Sequence, residues 1–302
     1  MHRTSSPRVM IRKARPSREA GMALIVVLWL VVLLSVMAAG HSRNVHVDTM
    51  LAARQVGLAK ARALAEAGAH RAIIDLLGAN DGSPLPVDGT LSEVEVFGQG
   101  VNIAIRDATG LVDLNMAGTD LLNDLLAVAG TDQFMRRDIV DAILDWRDGD
   151  DLRHLHGAED DDYIADGVGW TVRDGPFTAV EELKYVKGVS QDLFDRLVPL
   201  VTVHSGRPGV NVEYAPKPLA GALAGDGDGR SRPLPAMNVP ATTQRVSQGA
   251  RNGTYHVYVT AEGAAQVVAS LEVVVRISSA SKEPFTILER REPMRARLSP
   301  NG

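Results

Sequence analysis

The stretch Arg18–Arg43, REAGMALIVVLWLVVLLSVMAAGHSR, holds nineteen uncharged residues in a row, from Met22 to Gly40. Ahead of it stand Arg3, Arg8, Arg12, Lys13, Arg15 and Arg18 against a single acid, Glu19. At the rise of an α-helix, such a run extends about 29 Å, close to the thickness of a bilayer core. The basic excess predicts a cytoplasmic N-terminus and a chain that passes outward after Gly40. Two plainer readings compete. A cleaved secretory signal would use VMAAGHS as its site, although its apolar core is normally shorter. A single-span anchor would need nothing further.

The residues that follow separate these readings. From Val45 to Leu77 there is no proline. Val47, Leu51, Leu58, Ala61, Ala65, Ala72 and Leu76 recur at steps of three, four or seven, which is one face of a helix. The apolar run is thus predicted to continue into an amphipathic helix ending near Gly78, with GANDGSPLPVDG as the breaker.

The basic leader, the Gly immediately before the apolar helix and the long helix behind it resemble the type IV pilin-like proteins. Within that group, GMALIVVLWLVVLLS followed by KARALAEAGAHRAI is similar to the minor pseudopilins of the type II secretion system, protein K family. The resemblance implies cleavage by prepilin peptidase between Gly21 and Met22 and N-methylation of Met22. It also implies a tip position, because most pilin-like proteins carry Glu at the fifth residue after the cut and this chain has Val26. An acid inside a bilayer is costly without a partner. The subunit at a filament end lacks the neighbour whose terminal amine is thought to supply one.

The whole chain of 302 residues is 45% hydrophobic, carries a net charge of −5 and has no cysteine. A general nucleic-acid binder would show a basic excess. Without Cys there is neither a disulfide nor a thiolate metal site. Behind the breaker, SEVEVFGQGVNIAIRDA alternates about Gly98 and Gly100 and predicts a hairpin, Ser92–Phe97 with Val101–Arg106. TYHVYVT, AQVVASLEVVVRIS and PFTILER predict three further strands, with turns at Ala261–Ala264 and Ser278–Glu283. Between the strand groups the texture is helical. The expected fold is α+β and pilin-like, with an antiparallel sheet and a large inserted all-α domain. The expected parts are a leader (1–21), an N-terminal helix (22–78, of which 22–40 transmembrane), a head (79–108 and 207–302) and the insertion (109–206). Residues 221–253, rich in Gly, Ser, Pro and Arg, read as a loop. LVDLNMAGTDLLNDL and GVNVEYAPKPLAGAL align without gaps, pairing Val112 with Val210, Ala117 with Ala215, Leu121 with Leu219 and Leu125 with Leu223. Either a duplicated strand-to-helix unit or chance explains this.

The segment DWRDGDDLRHLHGAEDDDY, Asp145–Tyr163, is crowded with acids and carries only Arg147 and Arg153 against them. A hard cation such as Ca²⁺, which takes six to eight oxygens, would relieve the repulsion. Asp148, Asp150 and Glu159 fall at loop positions 1, 3 and 12 of an EF-hand, but Arg153 replaces its sixth-position Gly. A solvated acidic loop is the plain alternative. The family resemblance implies a calcium-binding head, to which Asp148, Asp150, Glu159, Asp160 and Asp161 are assigned as ligands. His154 and His156 are expected to be merely exposed.

ELKYVKGVSQDLFDRL has the outline of a helix–hairpin–helix turning at Gly188, a motif that can hold DNA phosphates. A membrane-anchored DNA-binding protein is therefore the alternative function, although Glu181, Glu182, Asp192 and Asp195 outnumber the local bases. No phosphate loop, nucleophile elbow or zinc-peptidase motif is present, so no enzyme activity is expected. As the resemblance implies, the chain is a minor pseudopilin. It would sit in the inner membrane with a periplasmic head and meet the I- and J-type minor pseudopilins, the major pseudopilin, the prepilin peptidase and the inner-membrane assembly platform.

Overall fold

The computed structural model describes residues 19–79, 83–224 and 251–292, the side chains of 19–21, 38–48 and 265 excepted. Most of the expected leader and most of the expected 221–253 loop lie outside the described residues. The chain divides into two units, 1–56 and 57–302.

Helix α1 runs Glu19–Leu76 and contains Gly21, Met22 and Val26. In the first unit its residues 22–37 are exposed on every side, including Met22, Val26, Trp29 and Leu33. Among the described residues no helix is long and apolar enough to cross a membrane. The expected span, however, reaches residues 38–40, whose side chains are outside that set. In the second unit, Ala61, Ala65, Ala69, Ala72, Ile73 and Leu76 form a buried face. Small residues dominate it because the sheet comes close. A Cβ at Gly68 would lie 2.8 Å from Val259 Cγ1 and 2.9 Å from Val101 Cγ1. Asp75, at the helix end, is buried and accepts the Leu85 N–H at 2.8 Å, pinning the chain as it leaves the helix.

The sheet covering that face has the order β1 (Asp88–Val96), β2 (Gln99–Asp107), β5 (Gly253–Glu262), β6 (Val268–Ile277), β7 (Phe285–Arg291), all antiparallel. The period of two decides which residues meet α1. Val101, Ile103, Ile105, Tyr255, Val257, Val259, Leu271, Val273 and Val275 pack with the helix in one core. The β1–β2 hairpin is longer than its predicted strands. It turns through Phe97 and Gly98, both at positive φ (52° and 73°).

Because β2 pairs directly with β5, everything from Ala108 to Asn252 is inserted between two neighbouring strands. A second core fills this segment, built from Leu122, Leu125, Leu126, Ile139, Ile143, Trp146, Phe177, Leu183, Phe194 and Leu197. Its helices are α2 (Thr119–Val128), α3 (Gln133–Arg147), α4 (Asp160–Ala165), α5 (Gln191–Leu197) and α6 (Lys217–Ala224). EELKY forms a 3₁₀ turn rather than an α-helix. The two-residue strands β3 (Val112–Asp113) and β4 (Val201–Thr202) pair in parallel.

The repeat has a structural counterpart. Asp113 Oδ1 accepts the Asn115 N–H at 2.9 Å, and Asn211 Oδ1 accepts the Glu213 N–H at 3.1 Å. Each side-chain turn leads into a helix, α2 and α6 respectively, at the same offset. Val112 lies in β3, whereas Val210 is in no strand, so the likeness is in the turn and helix.

A buried polar layer separates the two cores. Thr202 Oγ1 meets His256 Nε2 at 3.0 Å, and His256 Nδ1 lies 3.4 Å from Glu272 Oε1. Arg291 donates to both Glu272 oxygens at 2.8 Å and to Glu181 Oε1 at 2.7 Å. Arg291 and Glu272 belong to the sheet and Glu181 to the helical segment, so one guanidinium ties the two together.

Candidate metal centre

The acidic segment begins on the last turn of α3. Asp145 and Trp146 are both buried there, Trp146 between Tyr163 (edge-on, centroids 6.0 Å apart) and Phe177 (stacked, 6.3 Å). This aromatic floor fixes the end of α3. It also places the neighbouring Asp145 carboxylate inside the protein, fully buried. Asp148 caps the helix at its C-terminus, and the loop returns through His154, Gly157 and Glu159 to start α4.

Three carboxylates of this segment each keep one oxygen unpaired. Asp145 Oδ2, Asp148 Oδ1 and Glu159 Oε1 are buried and have no hydrogen-bond partner. An unsatisfied buried acceptor costs about 1–3 kcal/mol, and more when it is charged. Ligand-capable atoms of Asp145, Asp148 and His154 lie within 4.8 Å of one another. Asp145 Oδ1 is satisfied twice by one residue. It accepts the backbone N–H of His154 at 3.1 Å and pairs with that residue's ring Nδ1.

The electrostatics agree with the geometry. Burial, together with the charges of Asp145 and Asp148, pushes the Glu159 carboxyl up to about 7. Burial, then Asp150 and Asp145, also raises Asp148. Asp174, in a left-handed backbone conformation (φ 51°), adds to the field on Glu159 from a separate loop. Arg153 forms an ion pair with Asp162 at 3.0 Å. It therefore does not meet the three orphan oxygens.

Of the residues assigned from sequence, Asp148 is brought together with Asp145 and His154, and Glu159 feels the charges of Asp145 and Asp148. Asp150 Oδ1 accepts the Leu152 N–H at 2.9 Å, and Asp160 Oδ1 accepts the Val172 N–H at 3.0 Å, so both shape the loops. Asp161 is exposed on the first turn of α4. Asp145 was missed because it reads as part of the α3 helical pattern. The signal was available, since an acid beside Trp146 in IVDAILDW sits among buried positions. His154 is not merely an exposed side chain, because it holds Asp145. His156 is bound differently, with its backbone N–H on Asp141 Oδ2 at 3.1 Å and its ring Nδ1 3.6 Å from Asp138 Oδ1.

The donors are carboxylate oxygens, the ligand type that a divalent hard cation takes. The residues present therefore fit the cation expected from sequence, with Asp145 added to the set.

Comparison with known proteins reaches the same part of the chain. Residues 103–206, which include the whole acidic segment, match the family model for type II secretion system (T2SS), protein K. Over that segment the chain is similar to the type II secretion system protein K family. The putative type II secretion system protein K of Escherichia coli K12 is 28% identical over 211 residues. That alignment covers 62% of this chain and 63% of the relative, so the chain spans somewhat less than two thirds of its length. The Klebsiella pneumoniae protein K is 34% identical over 77 residues, covering 26% of this chain and 24% of the relative. Among solved structures, the crystal structure of the GspK–GspI–GspJ complex from enterotoxigenic E. coli contains a chain with the same fold. The match has a TM-score of 0.51 at 16% identity and covers 83% of this chain and 99% of the other.

Proposed function

We propose that this chain is a minor pseudopilin at the tip of a type II secretion pseudopilus, acting in assembly of that filament and in export across the outer membrane. The observation that carries this reading is the helical segment inserted between adjacent antiparallel strands over a long N-terminal helix. The chain shares its fold with a chain solved in the GspK–GspI–GspJ complex. In this reading the exposed apolar part of α1, with Met22–Gly40 as the span, sits in the inner membrane. Residues before it stay cytoplasmic, and the head is periplasmic. Prepilin peptidase cuts between Gly21 and Met22, and the new amine is methylated. The I- and J-type minor pseudopilins are the tip partners. The major pseudopilin and the inner-membrane platform are met during assembly. The protein works by assembly, not catalysis.

Calcium belongs to the same proposal. Asp145, Asp148 and Glu159 would hold it through the three unpaired oxygens, cross-linking the end of α3 to the start of α4. A bound cation adds stability to the folded state alone, about 2.7 kcal/mol at a hundredfold excess over Kd.

The test is the mass of the mature N-terminus in a secreting cell. A chain that begins at methylated Met22 supports the reading. One that begins near Ala39 or Gly40 identifies an ordinary signal peptide and sinks it.

A further inference from the structure

His154 is the one element of the metal centre whose chemistry differs from the rest. It is an imidazole among carboxylates, and its side chain is partly exposed while the acid it touches is fully buried. Both of its hydrogen bonds end on the same atom, Asp145 Oδ1. They leave Oδ2, the other oxygen of that carboxylate, without a partner, as are one oxygen of Asp148 and one of Glu159. A carboxylate is free to rotate about its Cβ–Cγ bond, so either oxygen could turn toward a cation or toward the loop. The backbone N–H alone fixes one contact direction, and the ring Nδ1–H adds a second. Together they set the plane of the group.

We infer that His154 is a positioning residue for the metal centre. It locks the Asp145 carboxylate so that Oδ2 is presented to the cation, and it is not itself a ligand. This rests on the cation reading above and deepens it by assigning the orienting group. Residues that orient a metal ligand typically contribute 10–100-fold to affinity. The inference also bears on selectivity. With the Nδ1 of His154 committed to Asp145, the donor it positions is an oxygen, a ligand type that suits calcium over a borderline metal such as zinc.

The experiment uses the full chain in detergent, with Ca²⁺ and Zn²⁺ each titrated and followed by calorimetry and by thermal unfolding. His154→Ala is expected to weaken Ca²⁺ binding at least tenfold. His154→Asn, whose amide N–H can replace the Nδ1–H, is expected to restore most of it. His156→Ala, two residues away with its ring beside Asp138, is expected to leave the affinity unchanged. If the wild type responds to Ca²⁺ and His154→Ala binds it equally well, the positioning role is wrong and the cation reading stands. If His154→Ala lowers the melting temperature equally in calcium and in chelator at unchanged Kd, the role is only structural and the inference is again overturned. Wild-type preference for Zn²⁺ that disappears in both His154→Ala and His154→Asn would make the ring a ligand, contrary to the proposal. A wild type that responds to neither cation overturns both readings together.

Discussion

Gly157 lies directly over Asp145: a Cβ at position 157 would fall inside the van der Waals envelope of Asp145 Oδ2. The obstruction is the carboxylate of a fully buried residue rather than the free end of a surface chain, so it has little room to move. Gly157→Ala must therefore displace the oxygen that the cation is proposed to use. The expected result is a loss of about 1–3 kcal/mol from overpacking, together with loss of the calcium-dependent rise in melting temperature. Thermal unfolding of the full chain in calcium and in chelator checks it. A variant with the wild-type calcium response would remove Oδ2 from the ligand set.

Gly57 presents the same problem in α1. In an open helix interior, replacing Gly with Ala gains about 1 kcal/mol. Here the added methyl would run into the backbone carbonyl of Ala264, and a Cβ on Gly263 would likewise run into the Gly57 carbonyl. Two backbones in contact cannot yield as a side chain can, so the sign reverses. Gly57→Ala is expected to destabilise by about 1–3 kcal/mol, measured by chemical denaturation. Unchanged or increased stability would show that the β5–β6 turn can move away.

The buried ion network predicts a larger effect. Burial opposes the charge on Arg291, and the hydrogen bonds and charge of Glu272 outweigh it, raising the pKa of the guanidinium. Glu272→Ala leaves that cation without its two-pronged partner. The expected cost is about 3–5 kcal/mol, the range for breaking rather than replacing a buried pair. Unfolding that separates into two transitions would further show that this layer couples the helical segment to the sheet. A loss below about 1 kcal/mol would mean that Glu181 and Glu289, the latter 3.0 Å from Arg291, suffice.

Glu289 sets a pH dependence. The His204 hydrogen bond, with the charge of Arg291, holds its carboxyl below the usual 4.5 against the effect of burial. Its folded pKa is thus lower than its unfolded one. Its contribution is fully present above the unfolded value and is lost as pH falls through the folded value. Glu289→Gln should therefore reduce stability at neutral pH and flatten the acid limb below about pH 4.5. Denaturation curves collected from pH 7 down to 3 test this, and an acid limb identical to the wild type would contradict it.

Val26→Glu probes the proposed tip position. An unpaired acid in a bilayer costs at least about 2.5–3.5 kcal/mol. The new group would either remain unpaired at the filament end or draw the subunit into the filament body. Secretion and tip placement should therefore suffer while cleavage after Gly21 continues. Normal secretion by a variant found only at the tip would count against the role given to Val26.

The sequence alone determined the periodic features of this protein. The long helix, the hairpin about Gly98, the three C-terminal strands and the helical texture between them each follow from a local pattern of apolar residues, and such patterns need no knowledge of distant partners. The likeness of Asp113 and Asn211 as turn-formers was also present in the aligned repeat. Tertiary structure decided which polar groups meet. Asp145 looks like one more helix residue until Trp146 and its aromatic neighbours fix which way α3 faces. Nothing local in the sequence shows that Asp150 and Asp160 each turn one oxygen to a backbone N–H, of Leu152 and Val172. The tie from Glu181 through Arg291 to Glu272 joins residues more than a hundred positions apart in part, with no local signal at either end. Hydrophobic burial repeats along the chain and can be read from it. The pairing of a buried charge depends on which surfaces the completed fold presses together.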